Sequence, residues 1–160
     1  MTMMPFARLT AALSLAFALS PATLQAQATE GQVFGVWKYT CADGACRAFF
    51  NLQQEGAEVI SWTLLRDREK DQSTSIIRVP EGVALPPGLR LYVDDATFFD
   101  IPYQVCDGSG CSAIAVMDAA MLSAIEGKAT VRLAFIRYGE PQPIAYEVPV
   151  EGFRAALDAL

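Results

Sequence analysis

Two cysteine pairs of equal spacing constrain this chain more than any other feature in it. Cys41 and Cys46 enclose Ala-Asp-Gly-Ala, while Cys106 and Cys111 enclose Asp-Gly-Ser-Gly. Asp-Gly favours a two-residue hairpin turn, so each pair is expected to face across a tight turn between antiparallel strands. The 4 cysteines allow three connectivities. The turns favour the local links Cys41–Cys46 and Cys106–Cys111. A zinc site built from all four is the competing reading, but zinc pairs usually take a shorter C-x2-C interval. Neither pair has the two-residue spacing of a thioredoxin-like redox centre.

The choice between thiol and disulfide turns on compartment, and the amino terminus bears on that. Residues 1–28 read as a signal peptide. Arg8 closes a short basic segment, Leu9–Ser20 is an apolar run, Pro21 breaks it, and Ala26-Gln27-Ala28 offers a small-x-small cleavage pattern. Cleavage is expected after Ala28. As a helix the apolar run spans roughly 18 Å, short of the roughly 30 Å of a bilayer core, so a membrane anchor is the poorer reading. No cysteine follows directly, which disfavours a lipoprotein. Export makes an even cysteine count read as disulfides. The expected location is the periplasm, with the outer membrane or the exterior as alternatives.

Beyond residue 28, short runs rich in Val, Ile, Phe, Tyr and Trp alternate with turn residues. Strands are expected over Gln32–Thr40, Ala45–Gln53, Glu58–Leu65, Ser73–Val79, Leu89–Val93, Phe99–Cys106, Cys111–Val116, Ala129–Tyr138 and Ile144–Val150. Several alternate with period two: Leu89, Leu91 and Val93 share a side, as do Val131, Leu133 and Phe135, and Ile144, Tyr146 and Val148. Two short helices interrupt them. Asp118 caps one that ends at Gly127, and Phe153, Ala156, Leu157 and Leu160 form the apolar face of the other. Strands at this spacing predict an all-β, two-sheet sandwich in one domain, residues 29–160.

Composition removes whole chemistries. The 160 residues include no histidine, so no Ser-His-Asp triad, Cys-His pair or histidine-ligated metal is available. With 12 Lys+Arg against 18 Asp+Glu, a formal net charge of −6 lacks the basic footprint that nucleic acid requires. Asp94-Asp95 could ligate a hard cation, but adjacent aspartates between strands more often make a turn. Asp43, Asp107 and Asp118 read as turn and cap residues. The serines lack a histidine, and no S-x-x-K motif pairs one with a lysine. Trp37, Trp62, Phe49 and Phe50 read as core. Tyr92, Phe98, Phe99 and Tyr103 cluster near the second cysteine pair and are the candidate recognition surface, with core packing as the competing reading. No catalytic residue, metal ligand or cofactor is assigned.

Gly35-Val36-Trp37 followed by Cys41 and Cys46 resembles the opening of the invasion-associated locus B family. Pro80-Glu81-Gly82, Pro87-Gly88-Leu89, Val93-Asp94-Asp95 and Cys106 through Gly110-Cys111-Ser112-Ala113 resemble its central landmarks, and Gly152-Phe153-Arg154-Ala155-Ala156-Leu157 is similar to its ending. The resemblance implies a signal-bearing envelope protein of α-proteobacteria with an immunoglobulin-like β-sandwich and no established catalytic residues. Founding members are associated with host-cell invasion. The leading expectation is a non-catalytic exported protein that binds an envelope or host protein. A small-molecule or cation-binding module and a histidine-free hydrolase are the alternatives.

Overall fold

The computed structural model describes residues 28–160, so the expected signal peptide lies outside the described residues apart from Ala28. Strands β1 (Val33–Phe34), β2 (Trp37–Ala42), β3 (Ala45–Gln54), β4 (Ala57–Asp67) and β5 (Gln72–Val79) follow one another as an antiparallel meander. In chain order come β6 (Leu89–Tyr92), β7 (Phe98–Ile101), β8 (Tyr103–Asp107), β9 (Gly110–Met117), helix α1 (Ala119–Ile125), β10 (Thr130–Ile136), β11 (Pro143–Pro149) and helix α2 (Phe153–Ala159). The larger sheet has 7 strands in the order β1-β2-β3-β4-β5-β9-β8, and the smaller has 4 in the order β11-β10-β6-β7. The fold is mostly β, two antiparallel sheets with two short helices.

Alternation along the strands puts both inner faces into one core. Ile60, Trp62 and Leu64 of β4 and Ile77 and Val79 of β5 meet Leu89 and Leu91 of β6 and Val131, Leu133 and Phe135 of β10. Met121 and Ile125 of α1 and Phe153, Ala156 and Leu157 of α2 join the same cluster. At one end Trp37 stands edge-on to Trp62 and to Phe153, with ring centroids 5.4 and 5.7 Å away. Ser75 also points inward, and it is satisfied there: its Oγ accepts a hydrogen bond from Trp62 Nε1 at 2.8 Å. Asp118 caps α1 as expected, its carboxylate accepting from the Met121 N–H at 2.8 Å.

Two expected strands are each split, for visible reasons. The run Gln32–Thr40 breaks at Gly35, whose φ of 59° reverses the chain between β1 and β2. The run Phe99–Cys106 breaks at Pro102, which has no N–H to offer a ladder, and its halves join different sheets. One long strand thereby serves as the border of both sheets.

Both cysteine pairs are bridged as disulfides, and each joins directly opposed residues, Cys41 to Cys46 and Cys106 to Cys111. In the first hairpin Asp43 and Gly44 form the turn with φ of 51° and 80°, the type I′ signature. In the second, Asp107 stays in the ladder opposite Gly110, so Gly108 and Ser109 form the turn instead. Two contacts hold Asp107 there: its carboxylate accepts from the Ser109 N–H at 2.8 Å and pairs with the Arg78 guanidinium reaching across from β5. Closing so short a ring removes little unfolded-state entropy. The double variant Cys41→Ala/Cys46→Ala is expected to lose about 2 kcal/mol in urea denaturation while keeping the native near-UV spectrum.

Candidate functional site

Period-two alternation gives the smaller sheet an outward face as well as a core face. Tyr92 of β6 lies directly between Phe98 of β7 and Arg132 of β10, and Arg90 lies opposite Asp100. These side chains stack. The Arg132 guanidinium sits 4.6 Å from the Tyr92 ring centroid, Tyr92 and Phe98 are tilted against each other at 5.8 Å, and Arg90 lies 4.3 Å over Phe98. Asp100 clamps Arg90 in two places, at 2.5 Å to Nε and 2.9 Å to Nη2. That carboxylate, then the Tyr92 hydroxyl, holds the Arg90 pKa above its ordinary value. Phe98 remains 45% exposed, which is high for an aromatic side chain fixed in a stack.

The result is a ladder of cations and rings, ordered before any partner arrives. Guanidinium and aromatic groups held in one rotamer lose little entropy on contact, and these residue types dominate the energetic centres of protein interfaces. Beside the ladder lies a shallow depression of about 140 Å³ whose walls include Tyr92, Asp94, Asp95, Arg132 and Glu147.

Sequence proximity grouped four aromatics, and the fold separates them. Tyr92 and Phe98 meet on the outer face. Phe99 faces the other way, half-buried against the core, because adjacent strand residues point to opposite sides. Tyr103 also packs on the core, from the larger sheet, and burial pushes its hydroxyl pKa up to about 12. Arg90 and Arg132 complete the ladder but were not among the candidates. Their signal was present as the polar positions alternating with Leu89, Leu91, Val131 and Leu133.

Asp94 and Asp95 diverge. Asp94 makes a turn, accepting from the N–H groups of Thr97 at 2.8 Å and Ala96 at 3.1 Å, whereas Asp95 faces Arg132 at 3.6 Å. Among the described residues, no group of three or more His, Cys, Asp or Glu side chains converges on a metal position.

Several carboxylates sit below their ordinary pKa. The Thr97 N–H and hydroxyl lower Asp94, the Ser109 hydroxyl and N–H lower Asp107, the Lys70 ammonium lowers Asp67, and the Thr40 hydroxyl lowers Glu30. A carboxyl with a depressed folded pKa adds stability above its unfolded pKa, and that contribution disappears as pH falls through the folded value. The urea midpoint is therefore expected to be flat above about pH 5 and to drop as pH is lowered toward about 3. Aspartate-to-asparagine changes at Asp94 and Asp107 should flatten that drop.

The chain is similar to known proteins in both sequence and fold. The family model described as "Invasion associated locus B (IalB) protein" matches residues 36–160. Two invasion protein B homologs of Brucella abortus, from strain 2308 and from biovar 1 strain 9-941, are each 26% identical over 107 residues. The alignment takes in 67% of this chain and spans 61% of the length of those relatives. The crystal structure of invasion associated protein b from Bartonella henselae superposes with a TM-score of 0.72 at 20% identity, covering 79% of this chain and 92% of that one. At that identity the likeness is one of fold.

Proposed function

Because the chain belongs to the invasion associated locus B family, we propose that it is an exported, non-catalytic protein of the bacterial envelope that works by binding another protein. The observation that carries this reading is the pre-ordered stack of Arg132, Tyr92, Phe98 and Arg90 on the open face of the smaller sheet. Such a face suits a partner that presents a flat surface with carboxylates for Arg132 and apolar groups for Phe98. The amino-terminal signal pattern and the two disulfides support a working place in the periplasm or at the outer membrane. The immunoglobulin-like label belongs to this proposal as an architecture of two packed sheets. The strand order combines a β1–β5 meander with two pairings between strands distant in sequence, β5 beside β9 and β6 beside β10, and immunoglobulin sheets likewise set distant strands side by side.

The test is a photo-crosslinking residue placed at Phe98 in intact cells, with captured proteins identified by mass spectrometry. The expected result is one reproducible partner that is lost on Arg132→Ala and absent when the crosslinker is placed at Val33 on the other sheet. Capture of nothing, or of the same proteins from both positions, would overturn the reading. Protease digestion in intact cells separates its two locations. Cleavage there puts the domain on the surface, and protection until the outer membrane is permeabilised puts it in the periplasm.

A further inference from the structure

A sheet border offers unpaired N–H and C=O groups, and folded proteins ordinarily blunt it. Three of the four borders here are blunted. The β1 border is two residues long, and beyond it the Cys41 N–H, which points outward, is taken by the Glu30 carboxylate at 2.7 Å. On β11 the hydrogen bond from the Val150 N–H to the Ala129 carbonyl, 2.9 Å, fixes which residues face β10. By alternation Pro143, Ala145, Glu147 and Pro149 face outward, so prolines without N–H occupy both ends of that border. On β8 the register shifts between Tyr103 and Val105, which interrupts the ladder.

The β7 border has no such device along its length. The Val93 N–H donates to the Thr97 carbonyl at 2.9 Å, so Leu91–Phe99 and Leu89–Ile101 are the hydrogen-bonded pairs. Phe98 and Asp100 therefore direct their N–H and C=O groups away from the sheet, and both residues are exposed. Pro102 closes this stretch only at its end.

We propose that β7 pairs antiparallel with β7 of a second copy of this chain, about a two-fold axis at Phe99. In that register Phe98 of each copy stands opposite Asp100 of the other, and both outward N–H and C=O sets are satisfied. On the inner side the two Phe99 rings become a directly opposed, non-hydrogen-bonded pair, the closer kind, and cover each other's half-exposed edges. On the outer side each Asp100 comes beside the Phe98 ring over which the other copy's Arg90 lies, so charge is complementary across the axis. A two-fold centred on Asp100 would set carboxylate against carboxylate and is disfavoured. The pairing joins two smaller sheets into one and brings both arginine-aromatic ladders onto a continuous face. This inference goes beyond the proposed function and does not depend on it.

Sedimentation velocity of the protein expressed from the full chain, up to about 100 μM, is the test, since a Kd in that range populates the dimer measurably. The expected result is a reversible dimer, weakened about tenfold or more by Asp100→Pro, which deletes one outward donor, and retained by Asp100→Asn, which keeps it. Hydrogen exchange on the unmodified protein provides an arm independent of the variant's folding: the Phe98 and Asp100 amides should gain protection as concentration rises. A monomer throughout, or a dimer in which those two amides exchange as freely as in the monomer, would overturn the proposal. A monomer at every concentration, with Phe98 still crosslinking to a different protein in cells, would overturn it alone and leave the proposed function standing.

Discussion

Truncating Trp37 to alanine is expected to cost about 3–5 kcal/mol, enough to unfold much of the population of a domain this size at growth temperature. Trp37 is fully buried, and its ring is the common neighbour of Phe50, Trp62 and Phe153, at 6.2, 5.4 and 5.7 Å. Those contacts bring strands β2, β3 and β4 together with the last helix, so the cavity left by alanine would open where four elements meet. Neighbouring aromatic rings cannot collapse into it without leaving their rotamers. A comparison within the same cluster separates packing from hydrogen bonding. Among the described residues Trp37 Nε1 has no hydrogen-bond partner, whereas Trp62 Nε1 donates to buried Ser75. Trp62→Phe strands the Ser75 hydroxyl, and Trp37→Phe strands nothing. The first is expected to be the more destabilising by about 1–3 kcal/mol in urea denaturation. Equal losses would mean that ring volume alone sets the stability of this cluster.

What the sequence disclosed followed the scale of the interaction. Period-two alternation is a property of a few neighbouring residues, and it located β6, β10 and β11 and assigned Leu91, Leu133 and Val148 to the core. The disulfide pairs were legible for the same reason, since a turn of a few residues fixes both ends of the ring. The splitting of Phe99–Cys106 was not legible as a change of sheet. Pro102 announces a break, and each half pairs with its neighbour in the chain, β6 for one and β9 for the other, but which sheet that makes is decided by distant pairings, β6 with β10 and β9 with β5. The four candidate aromatics divide on the same account. Phe98 and Phe99 are neighbours in sequence, yet a strand sends them to opposite sides. The ladder's other half, Arg132, is brought in by a pairing across some forty residues of chain that composition does not encode. Arg78 is the same case: it belongs to β5 and secures a turn that sequence reading attributed to Asp-Gly alone.

Adding one methyl group at Gly152 is expected to be almost as damaging as deleting the Trp37 indole. Gly152 has φ of 80° and stands immediately before α2, where a Cβ would lie 2.2 Å from the Phe34 carbonyl oxygen and 2.7 Å from the Gly35 nitrogen. Gly35 is in the reciprocal position, with a Cβ reaching 2.2 Å from the Glu151 oxygen. Both obstructions are backbone, which no rotamer change can move aside. The two glycines thus let the β1–β2 turn and the entry to α2 touch, and this contact sets Phe153 against Trp37 and Trp62. Gly152→Ala must carry the left-handed backbone cost of about 1–2 kcal/mol and also force the turn and helix apart, for a total of about 2–5 kcal/mol. Gly44 supplies the control. Its φ is also 80°, but nothing lies within 4 Å of its Cβ position, so Gly44→Ala should carry the backbone cost alone. Thermal melts of the two variants measure the difference. A Gly152→Ala variant no less stable than Gly44→Ala would show that the turn and the helix yield freely. Unfolding of Gly152→Ala with Gly44→Ala intact would show that this glycine contact, and not the disulfide hairpin, closes that end of the sandwich.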